Sequence, residues 1–398
     1  QSVLDDAPVS FSHFDPRLNP SLVDTDAVEQ GAVEGQDGGL PYQDALLAFA
    51  REAAKRHLLV VVSAHRLKAS HPNYGLWYNN SLGVSEESAG RSWDQLTAKL
   101  CKQWNVVGVD LYQEPFMASW GAHNVRTDWN LAAERLGNRV LNGCPRWLIF
   151  VQGIHTGAPD DGGHDAGYFY GENLVGVKSA PVRLSQPDRL VYAPHTRGPN
   201  AKPMWAQPKY FKDETFPANL PAVWTSHFLM AREYHEGTPM VIGELGGDFK
   251  GDDKLWQEKA LAYFSREQRL GIFYDSLMDP SGRGHGLLED DFASPVVGKV
   301  ALLRTLPFTD VHSFSRPSPP PDAPSRPPPS PPPPLPPKPR PPPSPPPPSP
   351  SPSHPPPSPP PMPVLELFAR DMLNELRIEL TNAPLFVLAA AAAFLLGC

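Results

Sequence analysis

Apolar positions along this chain fall into two rhythms that take turns. Residues 44–57 (DALLAFAREAAKRH) space their apolar side chains at helical intervals and end in a basic turn. The run that follows, LLVVVS at 58–63, is rich in β-branched residues and does not alternate with polar ones. Such a run predicts a strand covered on both faces, as in a parallel sheet. The same pair then recurs. Helical spacing over 92–104 leads into VVGVDLY (106–112), and helical spacing over 128–143 leads into RWLIFVQG (146–153). RLVYAPH (189–195) is a further strand, TSHFLMAREYHEG precedes PMVIGE (239–244), and residues 255–271 precede IFYDSL (272–277).

Strands alternating with helices predict an α/β domain on a parallel sheet. A doubly wound open sheet and a closed barrel both fit that order. No glycine-rich phosphate turn follows any of the strands, so the nucleotide-binding open sheet has no support. Polar residues favour the barrel. His65, Glu114, His195 and Glu244 each fall at or just past the C-terminal end of a different strand. In a (β/α)₈ barrel that end is the face where chemistry is done.

Composition divides the chain. Of its 398 residues 52 are proline, concentrated in a serine-proline tract that has little to bury and reads as an extended, disordered polyproline linker. The expected domains are a barrel over 1–312, the linker over 313–363 and an amphipathic, then apolar, segment over 364–398. The last stretch, PLFVLAAAAAFLLGC, is shorter than the about 20 residues a bilayer span needs. A hydrophobic helix is expected there, serving as a membrane or lipid anchor. The sequence opens on Gln1 with no signal peptide behind it, as expected of a processed or fragmentary chain.

A net charge of −8 with both signs interspersed argues against nucleic acid as a partner. Cys101 and Cys144 could form one bridge in an oxidising compartment, which sequence alone leaves open. Asn79-Asn80-Ser81 is a glycosylation sequon.

Two carboxylates at the mouths of separate strands are what glycoside hydrolysis requires: one protonates the leaving oxygen and the other attacks the anomeric carbon. Glu114 lies in DLYQEP, where Pro115 turns the chain. Glu244 lies in VIGELGG, whose glycines let the backbone leave the strand sharply.

On these motifs the chain resembles glycoside hydrolase family 5, in particular its bacterial-type endoglucanases. The segment VVGVDLYQEPFMASWGAHNVRTDWNLAAERLGNRVL is similar to the family's acid/base region. VSAHRLKASHPNYGLWY (62–78), YGENLVGVKSAPVRL (170–184) and RLVYAPH with FPANLPAVW and VIGELG follow in the family's order.

The resemblance implies a TIM barrel and a secreted or surface-held monomer that cuts β-1,4-glucan by double displacement without metal or cofactor. It makes Glu114 the acid/base and Glu244 the nucleophile. His65, Gln113 and His195 would line the sugar site. Trp77 and Trp120 would offer stacking platforms, with core packing as the alternative for each.

Four departures stand out. Gln113 replaces the family's asparagine. Arg197 replaces a tyrosine beside the nucleophile, either facing the glutamate or pointing away. Leu277 stands where a stacking tryptophan is expected. The barrel's first two strands, with an arginine that bonds the nucleophile, are expected to precede Gln1 in a truncated chain, the alternative being a degenerate replacement within residues 1–40. These departures leave a second reading open, a carbohydrate-binding pseudoenzyme on a cell-wall or surface stalk.

Overall fold

Alternating inward and outward side chains on six parallel strands organise the molecule. The structure, a computed structural model, describes residues 8–9, 40–67, 75–155, 167–201, 207–279 and 284–307. The expected linker and C-terminal segment lie outside the described residues. Among those described, no helix is long and apolar enough to cross a membrane.

A short antiparallel pair, β1 (Pro8–Val9) and β2 (Leu40–Pro41), precedes helix α1 (Tyr42–Lys55). Then come β3 (Val60–Ser63), α2 (Glu86–Leu100), β4 (Val106–Asp110), α3 (Trp129–Gly143), β5 (Leu148–Val151) and β6 (Leu190–Tyr192). The helix expected over 225–237 is three pieces: α4 (Leu220–Trp224), a π turn (Thr225–Leu229) and α5 (Ala231–Tyr234). Strand β7 (Val241–Leu245), α6 (Gly251–Ala262), β8 (Gly271–Tyr274) and α7 (Val297–Leu303) complete the described strands and α-helices.

Strands β3 to β6 pair in sequence order, and β7 pairs with β8, all in parallel. Parallel bridges Tyr192↔Met240 and His195↔Glu244 join the two sets. The result is the β3–β8 arc of a (β/α)₈ barrel. Barrel strands one and two have no counterpart among the described residues.

Both strand faces are apolar, which is why the runs do not alternate. Val60, Val62, Val109, Ile149, Val151, Ile242 and Ile272 face outward into the large core shared with the helices. Val61, Leu148, Phe150, Val191, Ala193, Val241 and Phe273 meet in a small cluster on the inner face. Following the inward parity to the strand ends gives Ser63 and His65 after Val61, Gln152 after Phe150, His195 after Ala193 and Asp275 after Phe273. The barrel interior is therefore greasy below and polar at its C-terminal mouth.

The open question about the cysteines is answered. Cys101 and Cys144 form a disulfide with a Cα–Cα distance of 5.6 Å. It joins the residues just past the C-terminal ends of α2 and α3. Beside it the Arg146 guanidinium donates to the carbonyls of Cys101, Gln103 and Val106.

Candidate active site

Glu114 sits where β4 has run out and the backbone must turn. Its φ is +48°, a left-handed conformation that is uncommon outside glycine and found mostly where surrounding structure enforces it. The enforcing contact is visible: its backbone N–H donates to Gln152 Oε1 at 2.8 Å.

Gln152, fully buried at the end of β5, is the hub of the site floor. Its Nε2 donates to Asp110 Oδ2 at 2.5 Å and to Gln113 Oε1 at 3.1 Å. That fixes the Gln113 amide so that its own Nε2 donates to Glu244 Oε2 at 2.7 Å. Ser63 Oγ donates to the same Asp110 oxygen at 2.8 Å. Burial pushes the Asp110 carboxyl above the usual range, although the charge of His195 and these hydrogen bonds oppose it.

Glu244 leaves β7 at a register shift between Ile242 and Leu245, an irregularity that re-aims side chains at a strand end. Only glycine fits two residues later, because a Cβ at Gly246 would lie 1.7 Å from the Asp275 carbonyl oxygen. Across the mouth, His195 is bridged to Glu244 through the backbone, and its N–H donates to Gly171 O at 3.0 Å. Gly171 has φ +74° and lies so close to Gln152 and His195 that a side chain would crowd both. His195 Nδ1 stands 3.0 Å from Glu114 Oε1 and 3.3 Å from Glu244 Oε2. Ligand atoms of Glu114, His195 and Glu244 all lie within 4.8 Å of one another. That is close enough to hold a divalent ion, although the sequence reading assigns none. His65 lines the same cavity, and burial, helped by Arg66, pulls its imidazole pKa below the usual value.

Arg197 faces the nucleophile position. Its Nη2 is ion-paired with Glu244 Oε1, and its Nη1 donates to Asp275 Oδ2 at 2.6 Å. Burial alone would lower its pKa, but the charges of Asp275 and Glu114 outweigh burial and the net shift is upward.

Two expectations need correction. Trp77 and Trp120 are buried, at 1% and 0% exposure, and no sugar can reach their faces. Trp77 Nε1 donates to Glu86 Oε2 at 2.8 Å, and its ring packs on Trp129 with centroids 5.4 Å apart. Trp120 Nε1 donates to Ala180 O at 2.8 Å. They are core residues because the helix-side core surrounds the loops that carry them. Trp120→Phe should therefore cost about 1–3 kcal/mol of stability through lost packing and one hydrogen bond. Its KM for cello-oligosaccharides should stay within about twofold. Denaturant melts and initial rates check both. Leu277 is buried as well and presents no platform.

Sequence reading passed over Asp110, Gln152 and Asp275, all of which line the cavity. The rule that found the glutamates reaches Gln152 and Asp275, each the polar residue that ends an apolar run, but not Asp110, which stands inside VVGVDLY (106–112).

Comparison with known proteins agrees with this fold. Residues 42–276 match the model of the cellulase family, glycosyl hydrolase family 5. An endoglucanase of Paenibacillus polymyxa is 36% identical over 247 residues, covering 61% of this chain and 59% of that protein. The major extracellular endoglucanase of Xanthomonas campestris pv. campestris is 40% identical over 205 residues, covering 50% and 40%. The chain thus spans about half the length of these curated relatives. The catalytic domain of the Xanthomonas enzyme superposes with a TM-score of 0.58 at 33% identity, covering 64% of this chain and 71% of that one. A cellotetraose complex of the endocellulase from Pyrococcus horikoshii gives 0.62 at 32%, covering 73% and 76%. Matched over more than half its length by the family's model, this chain belongs to the cellulase family, glycosyl hydrolase family 5.

Proposed function

We propose that this chain is a retaining endo-β-1,4-glucanase, with Glu114 as acid/base and Glu244 as nucleophile. One observation carries the reading: carboxylate oxygens from two strand mouths lie within 4.8 Å of each other, with His195 between them. Retaining glycosidases hold their carboxyl groups about 5–5.5 Å apart, and inverting ones need a wider gap to seat a water. The Glu244 carboxylate attacks the anomeric carbon as Glu114 gives its proton to the departing glycosidic oxygen. The ester formed is then cut by a water that Glu114 deprotonates. Gln113 holds Glu244 in place, and Gln152 holds both Gln113 and the Glu114 backbone. No step draws on a metal or cofactor.

Two relatives support the substrate class: one is called an endoglucanase, and a solved neighbour binds cellotetraose. Action outside the cell as a monomer, and attachment through the C-terminal segment, belong to the same proposal. The disulfide and the extracellular Xanthomonas relative support the compartment.

The test combines turnover of carboxymethylcellulose with trapping by a 2-deoxy-2-fluoro-β-cellobioside carrying an activated leaving group. Peptide mapping should find the fluorosugar on Glu244. Glucan binding with neither turnover nor adduct would instead favour the pseudoenzyme. That second reading draws on the Arg197 contact, which ties up one oxygen of the nucleophile.

A further inference from the structure

Arg197 is anchored on both sides. Thr196 N donates to Glu244 O at 3.0 Å, and Thr196 Oγ1 donates to the buried Glu172 at 3.0 Å. On the other side a Cβ at Gly198 would lie 2.2 Å from Asp253 Oδ1, so glycine lets the backbone press against α6. The guanidinium leaving this fixed point is shared between two carboxylates, Glu244 at the end of β7 and Asp275 after β8. Glu244 loses its charge when it esterifies and regains it when the ester is cut. Asp275 stays outside the chemistry.

We propose that Arg197, with Asp275 as its counter-ion, is a positioning pair that sets the balance between forming and breaking the glycosyl ester. The inference rests on the functional reading above and adds a role for both residues.

In the first step Glu244 Oε forms a bond to the anomeric carbon. The bond from that carbon to the leaving oxygen breaks, and Glu114 supplies the proton. A carboxylate paired with a cation is the weaker nucleophile. In the second step water attacks the same carbon, its proton passes to Glu114, and Glu244 departs as a carboxylate. A waiting cation makes that departure easier. Arg197 therefore slows the first step slightly and speeds the second. Asp275 takes up part of the cation's field and keeps Glu244 reactive, and it leaves Arg197 paired while the ester exists.

The two residues should act with opposite sign on the lifetime of the ester. Arg197→Gln should lengthen the half-life of the 2-fluorocellobiosyl adduct by about tenfold or more. On an activated aryl cellobioside it should lower kcat and KM together, because the ester accumulates. Arg197→Lys keeps the charge but loses the two-pronged grip and should fall between parent and Arg197→Gln. Asp275→Asn leaves the cation to Glu244 alone, so the adduct should form more slowly and decay faster, with KM raised.

Thermal melts confirm that each variant is folded. If Arg197→Gln does not fold, the Lys and Asn variants carry the same opposite-sign test. Equal adduct lifetimes in the parent and the folded variants overturn the proposal, as does kcat falling while KM rises in Arg197→Gln. A parent that forms no adduct on Glu244 overturns the glucanase reading itself, and this inference falls with it.

Discussion

Glu244→Gln is expected to lower kcat/KM on cellotetraose or carboxymethylcellulose by about 10⁴-fold or more, since removing a nucleophile removes the covalent route altogether. At 1.36 kcal/mol per decade this is roughly 5 kcal/mol or more of transition-state stabilisation. Glutamine keeps the shape and can still meet Gln113 and His195, so the fold should persist and the loss should be chemical.

Glu114→Gln should behave differently, and the difference is diagnostic. It removes a proton donor worth about 10²–10⁴-fold, but only when the leaving group needs a proton. On an aryl cellobioside with a good leaving group the first step should be nearly normal. The second step should stall, because water lacks its base. A burst of phenol followed by slow turnover is the expected trace. Added azide, which needs no base, should restore turnover in Glu114→Gln and should do nothing for Glu244→Gln. Identical traces for the two variants would show that the roles are not divided in this way.

That these two residues could be chosen from the sequence follows from how a parallel barrel is built. Each strand is apolar on both faces, so a polar residue can stand only where the strand stops being covered, at its ends. Glu114, His195 and Glu244 each end a greasy run at its C-terminal side, and connections between parallel strands bring those ends together. The same logic reaches Gln152 and Asp275, but a lone amide or aspartate after a strand gives no sign of chemistry until its partners are known. Gln152 matters because it grips Asp110, Gln113 and the Glu114 backbone at once. That property belongs to β4 and β5 together and cannot be read from one strand.

The tryptophans failed for the opposite reason. An aromatic residue near a motif suits a sugar platform and a core equally well, and only burial separates the two. Arg197 was legible as a substitution, but its direction was not. Whether it meets Glu244 depends on how Thr196 and Gly198 are held by Glu172 and α6.

Removing the disulfide should be the largest change in stability that leaves catalysis untouched. Cys101 and Cys144 are 43 residues apart. Closing a loop of that size in the unfolded chain is worth about 4 kcal/mol on the chain-entropy estimate. In a domain of this size each kcal/mol moves the melting temperature by about 2–4 °C, so Cys101→Ser with Cys144→Ser should melt roughly 8–16 °C lower.

The position of the bridge explains why kcat/KM should hold at 25 °C. It joins the segments that enter β4 and β5, at the N-terminal ends of strands whose C-terminal ends carry Glu114 and Gln152. The carbonyl contacts of Arg146 hold the local backbone together without it. The cost therefore falls on the equilibrium with the unfolded chain and spares the geometry of the mouth. Comparing melts and rates of the double variant with those of the parent under oxidising conditions decides the matter. An unchanged melting temperature would contradict the entropic account, and a parallel loss of rate would show that the two ends of the strands are coupled.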